Sequence, residues 1–510
     1  MNSENLFFDN YFFYNFKIEI KKKKTIADLI SYGKPDSKAN LRLRNLELNI
    51  CLLFALISVC ASCKKFVEIP PPTNQLVTAS VFASNSTATS AQTAIYTQMQ
   101  ANGDLYNISF FTGLSSDELV NYSFDIGVAG YYLNALNPMI EQASDIWTPA
   151  YSYIYQANAI IAALKGNQSL NSEVNKQLTG ESEFIRAFWY FYLANIFGDV
   201  PLITSTDYSK NAIAFRTSQS KVYQQIISDL IDAQKLLSDN YIDASDTVIT
   251  NERTRPTRWA ATALLARVYL FIGDYENAKS QANSIIANSS MFSLVTDLNA
   301  VFLKNSKEAI WQLQPVFSGY NTSEGANFIL TDVPQGYLTN CSTLSSQLIN
   351  SFEQGDKRRA NWVDSISIDT NTYFFPYKYK IQFNSSITEY SMVFRLAEQY
   401  LIRAEANAQG TDIIGAKTDL NVIRNRAGLS NTQATTKEEL LNAILHERQI
   451  ELFSETGNRW LDLKRTNMVD SVMNVVTPFK GGIWISSAQL FPIPQSERNN
   501  GPNLSQNPGY

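Results

Sequence analysis

The chain has 510 residues, 45% of them hydrophobic and 17% charged, with a formal net charge of −5. That length buries a large core, and the mildly acidic balance lacks the basic surface that nucleic-acid binding needs, so no nucleic-acid partner is expected. His446 is the single histidine, so a Ser-His-Asp or Cys-His site would depend on that one ring, and zinc centres built on several histidines are excluded. Of the four cysteines, Cys51, Cys60 and Cys63 crowd an N-terminal apolar run and only Cys341 lies in the body. This is not a disulfide framework in so large a chain, and no cofactor or metal is expected.

The N-terminus reads as an export signal. Residues 1–45 form an over-long leader containing "KIEIKKKK", set aside for reasoning about the fold. Lys38, Arg42 and Arg44 then precede an apolar run from Ile50 to Ala61, interrupted by Ser58. This run falls short of the roughly 20 residues that cross a bilayer, but suits a secretory signal. Ala61 and Ser62 place small residues before Cys63, the pattern of bacterial lipoprotein processing; Cys60 follows the β-branched Val59 and fits less well. Cys63 is therefore the expected lipidation site. Pro70, Pro71 and Pro72 favour an extended spacer. The expected organisation is a signal peptide with its leader over 1–62, a lipidated proline-rich linker over 63–80, and one domain over 81–510.

Beyond Thr73 the pattern is of helices joined by long polar loops. Residues 85–100 and 146–165 are expected to pair, as are 181–197 and 218–237. The clearest unit is "RPTRWAATALLARVYLFIGDYENAKSQANSII", with Pro256 suited to a first helical turn and Gly273-Asp274 breaking one helix before the next. Ala266 and Ala278 are small residues that let two antiparallel helices approach closely, and Tyr269 and Tyr275 fill the groove between repeats. Ala404 and Ala416 repeat that spacing, with Leu420 and Ile423 where the first copy has Ala282 and Ile285. Residues 101–140 and 290–390 are rich in Gly, Asn, Ser, Thr and Tyr and are expected to be functional loops with short strands. The expected fold class is mainly α: a tetratricopeptide-like scaffold of about four helix pairs, with long irregular loops and a few short strands.

Glu447, Glu451 and Glu455 recur at helical spacing near Arg448, Arg459 and Arg465. Paired carboxylates can cleave a glycosidic bond, but three on one helical face are expected to be in structural ion pairs, with His446 beside them in a packing or surface role. Gly457 is expected to cap the end of a helix, with Trp460 packed.

Several stretches resemble one family. "SCKKFVEIPPPTNQL", "RAFWYFYLANIFGDVPLIT", "HERQIELFSETGNRWLDLKR" and the terminal "LFPIPQSERNNGPNLSQNPGY" are similar, in order, to segments of SusD/RagB nutrient-binding outer-membrane lipoproteins. The resemblance implies a helical fold of four tetratricopeptide-like units, and a protein anchored by lipid in the outer membrane and exposed on the cell surface. It also implies capture of oligosaccharides or other nutrients without chemistry, and delivery to a TonB-dependent SusC-like barrel.

A sugar binder offers flat aromatic rings flanked by amides and carboxylates. Two loops combine these groups. The first, Ser115 to Tyr132, presents Tyr122, Phe124, Tyr131 and Tyr132 near Asp117, Glu118 and Asn121; the second, Phe317 to Phe328, presents Tyr320 and Phe328 near Asn321, Glu324 and Asn327. No recognisable calcium loop is present. Two alternative functions remain, a peptide-binding repeat scaffold and a surface glycoside hydrolase. The long aromatic loops argue against the first, and the lack of an isolated acid pair argues against the second.

Overall fold

The computed structural model describes residues 78–510. The signal peptide, Cys63 and all but the last residues of the linker expected over 63–80 lie outside the described residues.

Seven helices stack in chain order: Trp147–Leu164, Ser172–Phe197, Gln219–Leu236, Arg258–Phe271, Tyr275–Ala287, Leu396–Gln409 and Ile413–Arg426. Each lies against the next. The loop-rich segment 288–395 is inserted between the fifth and sixth, so the fold is mainly α with an interrupted repeat array. Helix Lys437–Glu451 closes the stack against the last two. Ser172–Phe197 begins nine residues before the sequence pattern indicated. Asn171 caps it by accepting from the Glu173 amide at 2.9 Å. From Phe184 to Phe197 nearly every side chain is buried, as expected of a helix that is apolar all round.

The repeat spacing survives in three dimensions. Ala266, Ala278 and Ala282 pack with Ile402 and Ala406 across the boundary between repeats. Ala404, Ala416, Leu420 and Ile423 form the equivalent core of the second copy. Gly273, at φ +77°, makes the turn within the first unit, and Asp274 caps the following helix by accepting from the Asn277 amide. Only glycine enters that backbone region at no steric cost.

Four expectations need correction. Pro256 precedes the cap rather than opening the helix, because Thr257 accepts from the Trp259 amide and Arg258 is the first helical residue. The pairing of 85–100 with 146–165 is minor. Asn85–Ala101 touches Trp147–Leu164 through Gln98 and Gln156 at 3.0 Å. The main partner of Trp147–Leu164 is Ser172–Phe197, where Tyr153 stacks on Trp189 at 5.2 Å and Trp147 meets Phe197 edge-on at 5.0 Å. Residues 101–140 are not all loop, since Asp104–Ser115 is a helix with all but one of its residues buried; its serines and threonine look loop-like, yet Ser109, Thr112 and Ser115 each donate back to the carbonyl four residues earlier. Gly457 does not end a helix. At φ +77° it starts Asn458–Arg465, and a β-carbon there would sit 2.9 Å from Thr112 Oγ1.

The strands are short and paired in twos. Ala309–Leu313 runs antiparallel to Ser391–Arg395, both wholly buried, and Val363–Ile368 forms a hairpin with Asn371–Pro376. Leu119–Asn121 pairs with Ser342–Leu344, tying the first loop region to the second.

Because Ala266 is fully buried against the next repeat, Ala266→Phe should overpack that contact and cost roughly 1–3 kcal/mol. Thermal denaturation should show a lowered Tm; an unchanged Tm would contradict a close helix contact there.

Candidate ligand-binding site

The acidic stripe is structural, and its partners come from afar. Glu447 pairs with Arg358 at 2.7 Å and Arg424 at 3.2 Å. Glu451 pairs with Arg395 at 2.5 Å, Arg358 at 2.9 Å and Arg426. Glu455, beyond the helix end, pairs with Arg395 at 2.7 Å and Lys378 at 2.5 Å. The arginines near in sequence go elsewhere: Arg448 to Asp462, Arg459 to Asp117, and Arg465 to Asp462 and Glu405. Burial opposes ionisation of Glu451, but Arg426, Arg395 and Arg358 outweigh it and hold the carboxyl well below the usual range. His446 is half-buried beside this hub, and burial lowers its pKa.

A cleft of about 690 Å³ opens where three loop regions meet. One wall is the turn Ala101–Asn107. The other comes from Phe317–Asn327, with Leu338 and Thr339 along one edge. The walls approach at Gly103, which has φ +64°; a β-carbon there would stand 3.3 Å from the Ser323 hydroxyl. Tyr106 forms part of the lining, donating to the Leu338 carbonyl at 2.8 Å and meeting Phe328 edge-on at 4.9 Å. At one end Tyr320 stands between Phe317 and Phe383, with ring centroids 6.1 and 5.1 Å away and planes at 67° and 85°. These rings are 43%, 55% and 56% exposed.

The expected site residues divide between surface and core. Tyr320 lines the cleft. Phe124 is exposed, and Asn121 and Tyr122 are half-buried on the adjoining loop, which is stitched to 336–341 by Tyr122 N to Cys341 O at 2.7 Å and Phe124 N to Gly336 O at 3.1 Å. Tyr122 turns its ring edge-on to Tyr373, and Asn121 accepts from the Ser123 amide. Tyr132 lines a separate cavity of about 410 Å³ with Asp117, Gln347 and Lys480. There the Lys480 ammonium lies 5.2 Å from the Tyr132 ring and donates to the Leu114 carbonyl at 2.7 Å. Burial lowers the Lys480 pKa to about 7.

Four of the expected contacts are core residues and are corrected here. Tyr131 is 1% exposed, stacked on Phe111 at 4.4 Å, with its hydroxyl donating to the Gln142 carbonyl. Asp117 is buried in a two-pronged pair with Arg459 at 2.8 and 2.7 Å. Phe328 is buried behind Tyr106. Asn321 is buried, and its amide staples the neighbouring loop: it donates to Asn384 O and Ser386 O and accepts from the Thr388 and Glu389 amides. It thereby holds the loop that brings Phe383 to Tyr320. Sequence reasoning missed Phe383, although an aromatic in "QFNSSIT" carries the same signal as Tyr320.

A family model described as starch-binding associating with outer membrane matches residues 65–270, and the SusD family model matches residues 345–510. The chain belongs to the SusD/RagB family. Among curated relatives, SusD-like protein P25 of Formosa agariphila is 25% identical over 92% of this chain and 100% of its own length. Among solved structures, a SusD superfamily protein from Bacteroides vulgatus superposes with a TM-score of 0.72 at 23% identity, covering 84% of this chain and 99% of that one. A laminarin-binding SusD-like protein gives 0.69 at 24% identity, covering 83% and 99%. At these identities the superpositions establish the shared fold. No described helix of this SusD/RagB chain is long and apolar enough to cross a membrane.

Among the described residues, one fully buried carboxyl titrates far from its usual range. Glu118 is next to Asp117, and its Oε1 lacks any hydrogen bond. Burial, and then the Asp117 charge, raises its pKa to about 8, against the pull of Arg459 and Lys378. The folded chain thus keeps a proton that the unfolded chain loses near pH 4.3. This contribution to stability is full below that value and is lost as pH rises toward 8. Glu118→Gln should match wild type near pH 4.5 and gain on it by up to about 1.4 kcal/mol per pH unit toward pH 8. Urea denaturation at several pH values tests this, and a difference constant with pH would show that Glu118 is ionised in the fold.

Proposed function

We propose that this protein is a cell-surface lipoprotein that captures oligosaccharide in the cleft at Tyr320 and delivers it to a TonB-dependent SusC-like barrel in the outer membrane. The observation that carries the reading is the aromatic trio Phe317, Tyr320 and Phe383 at the mouth of a cleft whose lining mixes small apolar residues with amides and hydroxyls. Pyranose rings have apolar faces and polar rims, which such a surface matches. Tyr122, Phe124 and Asn121 lie on the neighbouring segment hydrogen-bonded to residues 336–341, which carry the cleft's edge at Leu338 and Thr339, and Tyr132 lines a second, smaller recess. The family description as starch-binding and outer-membrane-associated, and the laminarin-binding relative of the same fold, support this assignment. Binding without chemistry fits the engagement of Glu447, Glu451 and Glu455 in ion pairs. Anchoring is assigned to Cys63, with residues 63–80 as tether and 81–510 as the binding domain.

Removing a stacking ring should cost on the order of 1–2 kcal/mol, or about a five- to thirty-fold loss of affinity. Calorimetric titration of Tyr320→Ala and Phe383→Ala with a glycan that wild type binds should show that loss, with unchanged circular dichroism. Wild-type affinity in both variants would place the site elsewhere.

Cys63→Ala should release the protein from the membrane fraction of cells. Retention of that variant in the membranes would refute acylation at Cys63.

A further inference from the structure

The segments that build the cleft share an unusual composition. No lysine or arginine occurs between Lys65 and Lys165, between Lys307 and Lys357, or between Lys380 and Arg395. These spans supply both walls, the edge at Leu338 and Thr339, and Phe383. The cleft lining is accordingly free of charge: Asn102, Asn107, Asn327, Ser318, Ser323 and Thr339 provide its polar side chains.

Two acids lie beside these lining residues in sequence, and both are turned inward. Asp104 is buried and accepts from the Tyr153 hydroxyl at 2.7 Å. Glu324 is buried and accepts from the Ser391 hydroxyl at 2.7 Å. Burial raises each carboxyl to about 7, so neither projects a full charge toward a ligand near neutral pH.

Resting on the binding role proposed above, we infer that the ligand is a neutral oligosaccharide, without uronate, sulfate or free amino groups. A carboxylate or sulfate entering the cleft would give up part of its water and find no guanidinium or ammonium to replace it. A cationic amino sugar would find no carboxylate lining the cleft. Neutral hydroxyls exchange hydrogen bonds with water for bonds to amides and hydroxyls at little net cost, and the ring faces supply the favourable term.

The test is calorimetric titration of the full-length lipoprotein in detergent. The panel comprises neutral hexasaccharides (malto-, laminari-, cello- and manno-), anionic oligogalacturonate and sulfated galactan oligomers, and cationic chitosan oligomers. At least one neutral oligosaccharide should bind at least about tenfold more tightly than any charged one, a margin of about 1.4 kcal/mol. That affinity should be unchanged between about 0.05 M and about 0.5 M salt, where screening would weaken a charge-driven contact. Tyr320→Ala should weaken the neutral ligand. If a charged oligomer binds most tightly, falls away with salt and is lost in Tyr320→Ala, the cleft is a glycan site but the neutral class is overturned. If no oligosaccharide of any class binds, both the neutral class and the glycan-binding role fall.

Discussion

The guanidinium of Arg395 ties together three parts of the chain that are far apart in sequence. It bonds Glu308 at 3.0 Å, Glu451 at 2.5 Å and Glu455 at 2.7 Å. Glu308 leads into one strand of a buried pair, Arg395 ends the other, Glu451 ends the helix that closes the repeat stack, and Glu455 lies just beyond it. Arg426 and Arg358 extend the cluster, and Trp362 lies within 6 Å of the charges of Lys378, Arg395 and Arg426. Replacing such a cluster with apolar groups can leave stability unchanged, whereas removing one member strands buried charge at a cost of several kcal/mol. Its effect here is to fix where the 288–395 insertion sits on the repeats. The cleft wall at Phe317–Asn327 and the Phe383 loop both spring from that insertion, so their placement depends on the hub.

The repeat array was legible because its constraint is local. Ala266 and Ala278, like Ala404 and Ala416, must be small wherever two helices cross closely, and that need recurs at a fixed spacing. The ion pairing of Glu447, Glu451 and Glu455 was legible in kind but not in partner. Arg358, Arg395 and Arg426 reach them only through the tertiary fold, and proximity in sequence pointed instead to Arg448, Arg459 and Arg465. Gly457 was placed at the wrong helix end because a left-handed glycine serves the start of one helix as well as the end of another; only its approach to Thr112 decides.

The candidate site was half legible for a related reason. A tyrosine or asparagine in a polar, glycine-containing loop has the same local signature whether it faces solvent or the core. Tyr320 and Phe124 face out. Tyr131 follows a seven-residue helix into the core against Phe111 and Phe491, and Asn321 uses its amide to satisfy four backbone groups of another loop. Whether such a residue meets ligand or protein is settled by what packs behind it, and those neighbours lie outside its own loop: Phe111 and Phe491 for Tyr131, residues 384–389 for Asn321.

The hydrogen bond from Tyr106 to the Leu338 carbonyl spans 232 residues, and that separation has a kinetic consequence. The helix Asp104–Ser115 and the turn before it can form early, but their partners in the second wall come late in the chain. Until those residues arrive, Tyr106, Phe110 and their neighbours present an apolar surface to water. Closing so long a loop is slow compared with helix formation. The recess is therefore complete only when both ends of that long loop have met, and an incompletely folded chain would expose an apolar surface where the finished one holds its cleft.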